Sequence, residues 1–302
     1  MLNRSDFVKH KAEDYDSNML RYVFDSDSKI ETTVIIPSRN GYRNGYLPQL
    51  IQQIKSQTYN TFELIIIIAD PRPGRAINRA VCQSQGEFFI ILDDDTQLGN
   101  KKVFEKLINY TKNIDKAGMI GVPNLIPKDG SFLIKQIMQQ IPRRHSRMVN
   151  QVLESDLAEH PCCAIPRDVF IEVGGENELI PRGIDPFIRN EIRKTGYKIA
   201  VIPEVYIHHL PPPKLKDNLI KFYQNGKKAG YVNKFYPDFV VELAFTHQKS
   251  ISEKRSNFIR IISYSSRLIK SILFFQLFSL LHMILYLAGY LQGYIFLEKH
   301  DT

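Results

Sequence analysis

Phe62-Glu63-Leu64-Ile65-Ile66-Ile67-Ile68-Ala69-Asp70 and Phe88-Phe89-Ile90-Ile91-Leu92-Asp93-Asp94-Asp95 decide the fold of this chain. Each is an almost wholly apolar run that stops at acid, the pattern of a strand covered on both faces, as in a parallel sheet. An earlier run, Thr33 to Ile36, is β-branched and closed by Pro37, and reads as a third strand of the same kind. Helices are predicted between them. Leu50, Ile51 and Ile54 recur at helical spacing within 47–57, and Gly74 opens a second helix after Pro71 and Pro73 that runs through Asn78 to about residue 83. Strand, helix, strand, helix, strand in this order requires right-handed crossovers and gives an α/β fold with a doubly wound, mainly parallel sheet. In such a sheet ligands lie beyond the carboxyl ends of the strands. Pro37, Asp70 and Asp93 all fall there, so three polar clusters converge on one crevice.

Asp93-Asp94-Asp95 is the strongest chemical signal. If the segment stays extended, Asp93 and Asp95 point to the same side and offer hard oxygen ligands to a divalent cation, magnesium or manganese. Such a cation suits a reaction whose leaving group is a nucleoside diphosphate, because negative charge grows on the leaving oxygen. A solvated acidic turn is the plainer alternative.

Further on, 121–160 carries the basic run Arg143-Arg144-His145 and reads as loops and helices on the acceptor side. Order returns at 169–175, in a helix over 185–195 and in a strand over 200–209, before Pro211-Pro212-Pro213. A basic stretch over 252–270 sets Lys254, Arg255, Arg260, Arg267 and Lys270 against Glu253, a net of +4. Residues 272–297 then run 26 positions without Asp, Glu, Lys or Arg. As one helix this would cover roughly 39 Å, enough to cross a hydrocarbon core, although Gln276, His282 and Gln292 also suit a helix lying on a bilayer surface or buried in the fold.

Composition narrows the partners. The net charge of +8 suits nucleic acid, anionic lipid or phosphorylated substrates, and the gathering of basic residues beside the apolar segment favours lipid over nucleic acid. Cys82, Cys162 and Cys163 fit neither a disulfide framework nor a CxxC zinc site, which points to a reducing compartment. Residues 1–29 lack the apolar run of a secretory signal. Expected localisation is therefore the cytoplasmic face of a membrane, the chain being membrane-associated or single-pass.

The segments Val34-Ile35-Ile36-Pro37-Ser38-Arg39-Asn40, Glu63 to Asp70, Gly74-Arg75-Ala76-Ile77-Asn78 and Gly86 to Asp95, followed by Val173-Gly174-Gly175, Asp185, Gly196-Tyr197-Lys198 and Pro203 to His209, resemble in order and spacing the family 2 glycosyltransferases of GT-A fold. The resemblance covers about residues 32–237. It implies an inverting transfer of sugar from a nucleotide diphosphate-sugar to a hydroxyl of a saccharide or lipid-linked acceptor, in cell-surface glycan synthesis. It implies that Pro37, Ser38 and Arg39 line the base pocket, that Asp70 accepts from the base, that Asp94 lies near the ribose, and that Arg75 and Asn78 face the donor. Asp93 and Asp95 would hold the metal, with His209 as the position similar to the third ligand, the choice between His208 and His209 being open. Asp185 matches the general base, although Ile184 stands where the family usually has Glu. Helix-capping roles for Asp70 and Asp185, a structural role for His209 and a surface role for Arg75 are the alternatives. The segment 223–230, with Lys227 and Lys228, is similar to one that meets the diphosphate, or is a solvated basic helix.

The implied division is an extension over 1–31, a catalytic domain over 32–245 and membrane-associated helices over 246–302. A nucleotidyltransferase and a non-catalytic, membrane-attached sugar-nucleotide binder are the competing functions. The Gln-x-x-Arg-Trp motif of processive synthases is excluded because the chain has no Trp, and neither GxGxxG nor a P-loop is present.

Overall fold

A computed structural model describes residues 2–23, 29–241 and 257–299. In chain order the strands are β1 (Asn18–Val23), β2 (Thr32–Ser38), β3 (Phe62–Ile68), β4 (Phe88–Ile91), β5 (Thr96–Leu98), β6 (Ala117–Gly121), β7 (Leu153–Glu154), β8 (Cys163–Pro166), β9 (Lys198–Val201) and β10 (Ile207–His209). The helices are α1 (Arg4–Phe7), α2 (Tyr46–Lys55), α3 (Pro73–Gln83), α4 (Val103–Asn113), α5 (Phe132–Gln140), α6 (Arg167–Glu172), α7 (Ile184–Lys194), α8 (Leu215–Phe235), α9 (Asn257–Leu273) and α10 (Leu277–Ile295).

Eight strands form one sheet in the order β1-β3-β2-β4-β8-β6-β9-β7. Its centre is the parallel block expected from the apolar runs, β3 and β4 flanking β2. Alternation along these strands sends Ile35, Ile65, Ile67, Phe89 and Ile91 to one face and Val34, Ile36, Leu64, Ile66 and Ile90 to the other, each face building its own core cluster. Gly86 passes so close to β2 that a Cβ there would lie 2.4 Å from the Thr33 nitrogen, so the crossover into β4 admits no side chain. Pro73 occupies the first turn of α3, where its missing N–H costs nothing.

Two expectations change, and a third gains detail. The described residues of the 1–31 extension pack on the catalytic sheet. Phe7 enters the core, and β1 closes the sheet edge antiparallel to β3. Glu63, fully buried, explains the need: it pairs with Arg21 of β1 at 2.6 Å and accepts from Thr33 Oγ1 and the Gln85 amide. The strand expected over 200–209 is two strands. Glu204 adopts φ +73 between them, β9 stays in the large sheet and β10 pairs with β5 in a separate ribbon. Last, the apolar run 272–297 is not one helix: Phe275 at φ +51 breaks it, ending α9 and starting α10.

Among the described residues α10 alone is long and apolar enough to cross a membrane. It does not stand clear of the domain. It lies along α8 so closely that a Cβ on Gly226 or Gly230 would fall 1.9 and 2.2 Å from the carbonyl oxygens of Tyr286 and Tyr290, and one on Gly289 or Gly293 would fall 2.0 Å from those of Tyr223 and Lys227. Two glycines four apart on each helix let the backbones meet.

Candidate active site

Beyond the carboxyl ends of β2 and β4 the chain turns sharply. The triplet is not extended as expected: Thr96 N–H donates to the Asp93 carbonyl at 3.1 Å, so residues 94 and 95 form a turn leading into β5. Because β5 pairs with β10, His209 sits opposite Thr96 in register. The pairing brings His209 Nε2 to 2.9 Å from Asp95 Oδ1 and 3.5 Å from Asp93 Oδ2. One ligand atom from each of Asp93, Asp95 and His209 lies within 4.8 Å of the others, a set of two carboxylates and an imidazole able to hold a divalent ion. His208 takes no part. Its Nδ1 lies 2.6 Å from the Leu125 carbonyl oxygen and its ring packs edge-on to Tyr206.

Cations surround the triplet from elements the sequence pattern did not connect. Arg43 reaches Asp94 Oδ1 with Nε at 3.1 Å and Asp95 Oδ2 with Nη2 at 2.6 Å, from a turn in which Arg43, Asn44 and Gly45 all have positive φ. Lys221 of α8 meets the same Asp95 oxygen at 3.2 Å. The two oxygens of Asp95 are therefore divided: Oδ2 serves Arg43 and Lys221, and Oδ1 faces His209. Burial would raise the Asp95 carboxyl, but Lys221, His209 and Arg43 hold it well below the usual range. Burial pushes Asp93 up to about 6 and Lys221 down to about 8. Ser38 Oγ donates to Asp94 Oδ2 at 2.6 Å and accepts from the Gly41 amide. Pro37 precedes it in β2, and Arg39 follows it, exposed.

Other expected donor contacts are turned inward. Asp70 accepts from Arg75 Nε and Nη2, and its Oδ1 also accepts from the Arg72 amide at 2.9 Å. Both side chains of this pair are buried, and Arg75 donates to the Glu13 carbonyl and lies over the Tyr15 ring. Asn78 is 0% exposed and clamps 176–178, donating to the Glu176 carbonyl and Glu178 Oε1 and accepting from the Glu176 amide. Lys228 is mostly buried, and burial together with Arg182, Arg39, Arg72 and Arg43 lowers its pKa.

Asp185 stands in the first turn of α7, where the helix dipole favours a carboxylate. Its Oδ1 accepts from the His160 amide at 2.6 Å and lies 3.3 Å from His160 Nδ1. On the far side, His160 Nε2 is 2.9 Å from Glu176 Oε1, an ion-pair distance off the line of a hydrogen bond. Burial alone would lower His160, but Asp185 and Glu176 push it up to about 9. Burial likewise opposes ionisation of Asp185, and His160 and Arg189 overcome it, leaving its pKa below the usual value. The result is a cationic imidazole clamped between two carboxylates, with Asp185 ionised at neutral pH. His160 and Glu176 were invisible in the sequence because no spacing rule links them to Asp185. The interaction of Asp93 with both Asp185 and His160 joins the two carboxylate groups electrostatically.

Residues 68–174 match the family model described as Glycosyl transferase family 2. No curated protein matches the chain by sequence. Among solved structures, the chain is similar to the mannosyltransferase PcManGT from Pyrobaculum calidifontis in complex with GDP-Man and Mn2+, at 10% identity and a TM-score of 0.53 over 88% of each chain. At that identity the likeness shows the fold. The TarS 1–349 structure from S. aureus in complex with UDP-GlcNAc is more distant, at 13% identity and a TM-score of 0.41 over 67% of each chain.

Proposed function

We propose that this glycosyltransferase, whose residues 68–174 carry the family 2 match, moves a sugar from a nucleotide diphosphate-sugar to an acceptor hydroxyl with inversion, using Asp185 as general base and a divalent ion held by Asp93, Asp95 and His209. The observation that carries the reading is the meeting of that triad at one end of the sheet, joined through the Asp93–Asp185 interaction to an ionised carboxylate. When bound, a manganese or magnesium ion offsets the charge that grows on the departing diphosphate. The fold shared with PcManGT, which was solved with GDP-Man and Mn2+, supports that choice of donor and ion.

The chain's own residues supply the rest. Asp185, ionised at neutral pH, accepts the proton of the attacking hydroxyl. His160 fixes the carboxylate through its backbone amide and balances its charge. Arg43 and Lys221, paired with the far oxygen of Asp95, place two positive charges beside the diphosphate site without competing for the oxygen that faces His209. Ser38 orients Asp94, assigned to the ribose.

The acceptor is assigned to a membrane and the enzyme to its cytoplasmic face. The outward stripe of α10, Ile284, Leu287, Leu291, Tyr294 and Ile295, is exposed, as are Phe274 and Phe275 at its start, the latter 91%. A helix docked lengthwise on α8 presents this stripe sideways, which supports a helix lying on the bilayer rather than crossing it. Lys270, in the last turn of α9, adds a charge complementary to anionic lipid.

Product analysis tests the reading. With manganese, turnover releases a nucleoside diphosphate, whereas release of pyrophosphate would make the chain a nucleotidyltransferase. Asp185→Asn is expected to lose roughly 10²–10⁴-fold in turnover while donor affinity stays within about twofold.

A further inference from the structure

Between the segment 141–144 that follows α5 and the helices α8, α9 and α10 lies a cavity of about 450 Å³. Its wall is in part cationic, with Arg144, Arg182 and Arg267, and in part aromatic and apolar, with Phe222, Met283 and Tyr286. His282 also lines it, its ring edge-on to Phe222 at 4.9 Å. Arg144 Nη1, Arg267 Nη2 and His282 Nδ1 are all buried with no hydrogen-bond partner among the described residues. No ion pair joins Arg144, Arg182 or Arg267 to a carboxylate among the described residues, although Asp95, Glu159 and Asp93 act on Arg144 electrostatically. Burial and these same three arginines lower the pKa of His282 and so keep its imidazole neutral. Leaving buried guanidinium nitrogens unsatisfied is costly, a cost that a chain carries at binding sites.

Position matters as much as charge. Gly183 is part of the cavity wall, and Asp185 stands two residues later in the first turn of α7. Met283 and Tyr286 of the apolar lining belong to α10, the helix whose outer stripe is assigned to the bilayer. The cavity thus adjoins both the segment that carries the base and the helix assigned to the lipid.

We propose that this cavity binds the phosphoryl group of an amphiphilic acceptor, a phosphate or diphosphate ester on an apolar chain, with Arg144, Arg182 and Arg267 holding the anion and Phe222, Met283 and Tyr286 the first carbons of the chain. This deepens the proposed function and rests on it for the word acceptor. Arginine forks suit a phosphate bidentately.

The full chain is titrated calorimetrically with farnesyl diphosphate, farnesol and inorganic pyrophosphate, and separately with UDP and GDP plus manganese. Farnesyl diphosphate is expected to bind at least about tenfold more tightly than either farnesol or pyrophosphate, since the cationic and the apolar lining both contribute. Arg267→Gln is expected to weaken it about tenfold or more for the lost charge-assisted hydrogen bonds, leave the nucleotide titration within about twofold, and melt no lower than wild type, because the nitrogen removed was unpaired. Equal loss of nucleotide binding would assign the arginines to the donor and overturn the proposal. So would binding of pyrophosphate as tight as that of farnesyl diphosphate, which marks a free-phosphate site. Vesicles of phosphatidylcholine with phosphatidylglycerol that abolish farnesyl diphosphate binding would assign the arginines to bulk headgroups, and also overturn it. Absence of manganese-dependent nucleotide binding in the wild type would sink the glycosyl-transfer reading alone, and is read out in a separate arm.

Discussion

His160 carries the residue-scale argument. Its imidazole is raised to about 9 by Asp185 and Glu176 against the opposing effect of burial. A group whose folded pKa lies above its unfolded value of 6.5 contributes stability that is fully present below that value and is lost as pH rises through the folded one. The melting temperature of the wild type should therefore exceed that of His160→Gln most clearly near pH 6, and the gap should shrink steadily up to about pH 9. A gap that widens with pH would contradict the clamped cation. Asp93, Asp95, Asp185 and His209 were legible as site candidates because each sits at the end of an apolar strand or the start of a helix, where sequence pattern carries position. Arg43, Lys221, His160 and Glu176 were not, since each acts from another element and only the fold brings it near. The partners of Asn78 were hidden for the same reason: α3 turns it toward 176–178, a segment that only the fold brings near.

At the scale of elements, the joint between α8 and α10 decides how the carboxyl-terminal segment relates to the catalytic sheet. Lys221 reaches the acidic triplet from the same helix whose glycines receive α10, so the docking surface and the site share one rigid rod. Gly289→Leu forces a side chain into the Tyr223 carbonyl, 2.0 Å from where its Cβ would stand. It should cost about 1–3 kcal/mol by overpacking, or undock the helix entirely. A lower melting temperature and new protease cleavage in 257–299 are the expected readouts, and an unchanged melting curve would mean that the joint is not closely packed. The core strands of the parallel block were readable to within two residues, because burial on both faces leaves an uninterrupted apolar run; β2 continues through Pro37 to Ser38. The split between β9 and β10 had a mark in Pro203, just before the positive φ of Glu204, which the single-strand reading passed over, whereas the break at Phe275 follows from tertiary packing and leaves no turn residue to mark it.

At the scale of the molecule, the +8 charge and the outward stripe of α10 act together. Hydrophobic insertion supplies depth and anionic headgroups supply attraction, so binding should need both. Leu287→Glu/Leu291→Glu places two carboxylates on the exposed face of α10 without touching the α8 joint. It is expected to abolish flotation with phosphatidylglycerol vesicles and to spare manganese-dependent hydrolysis of the donor, and retained flotation would refute the surface-lying helix.

The account as a whole depends on Asp93, Asp95 and His209 holding a cation for sugar transfer. Replacing Asp95 would take from the half-buried Lys221 its carboxylate and from Arg43 one of two, which destabilises for reasons unrelated to metal. Asp93→Asn/His209→Gln avoids that, because it leaves both cations paired with the far oxygen of Asp95. The decisive measurement is release of nucleoside diphosphate from the donor as manganese is titrated, in wild type and in this double variant. The account predicts saturable activation of the wild type and loss of roughly 10³-fold or more in the variant at any manganese concentration. A variant that turns over as fast as the wild type, with the same manganese dependence, would contradict it.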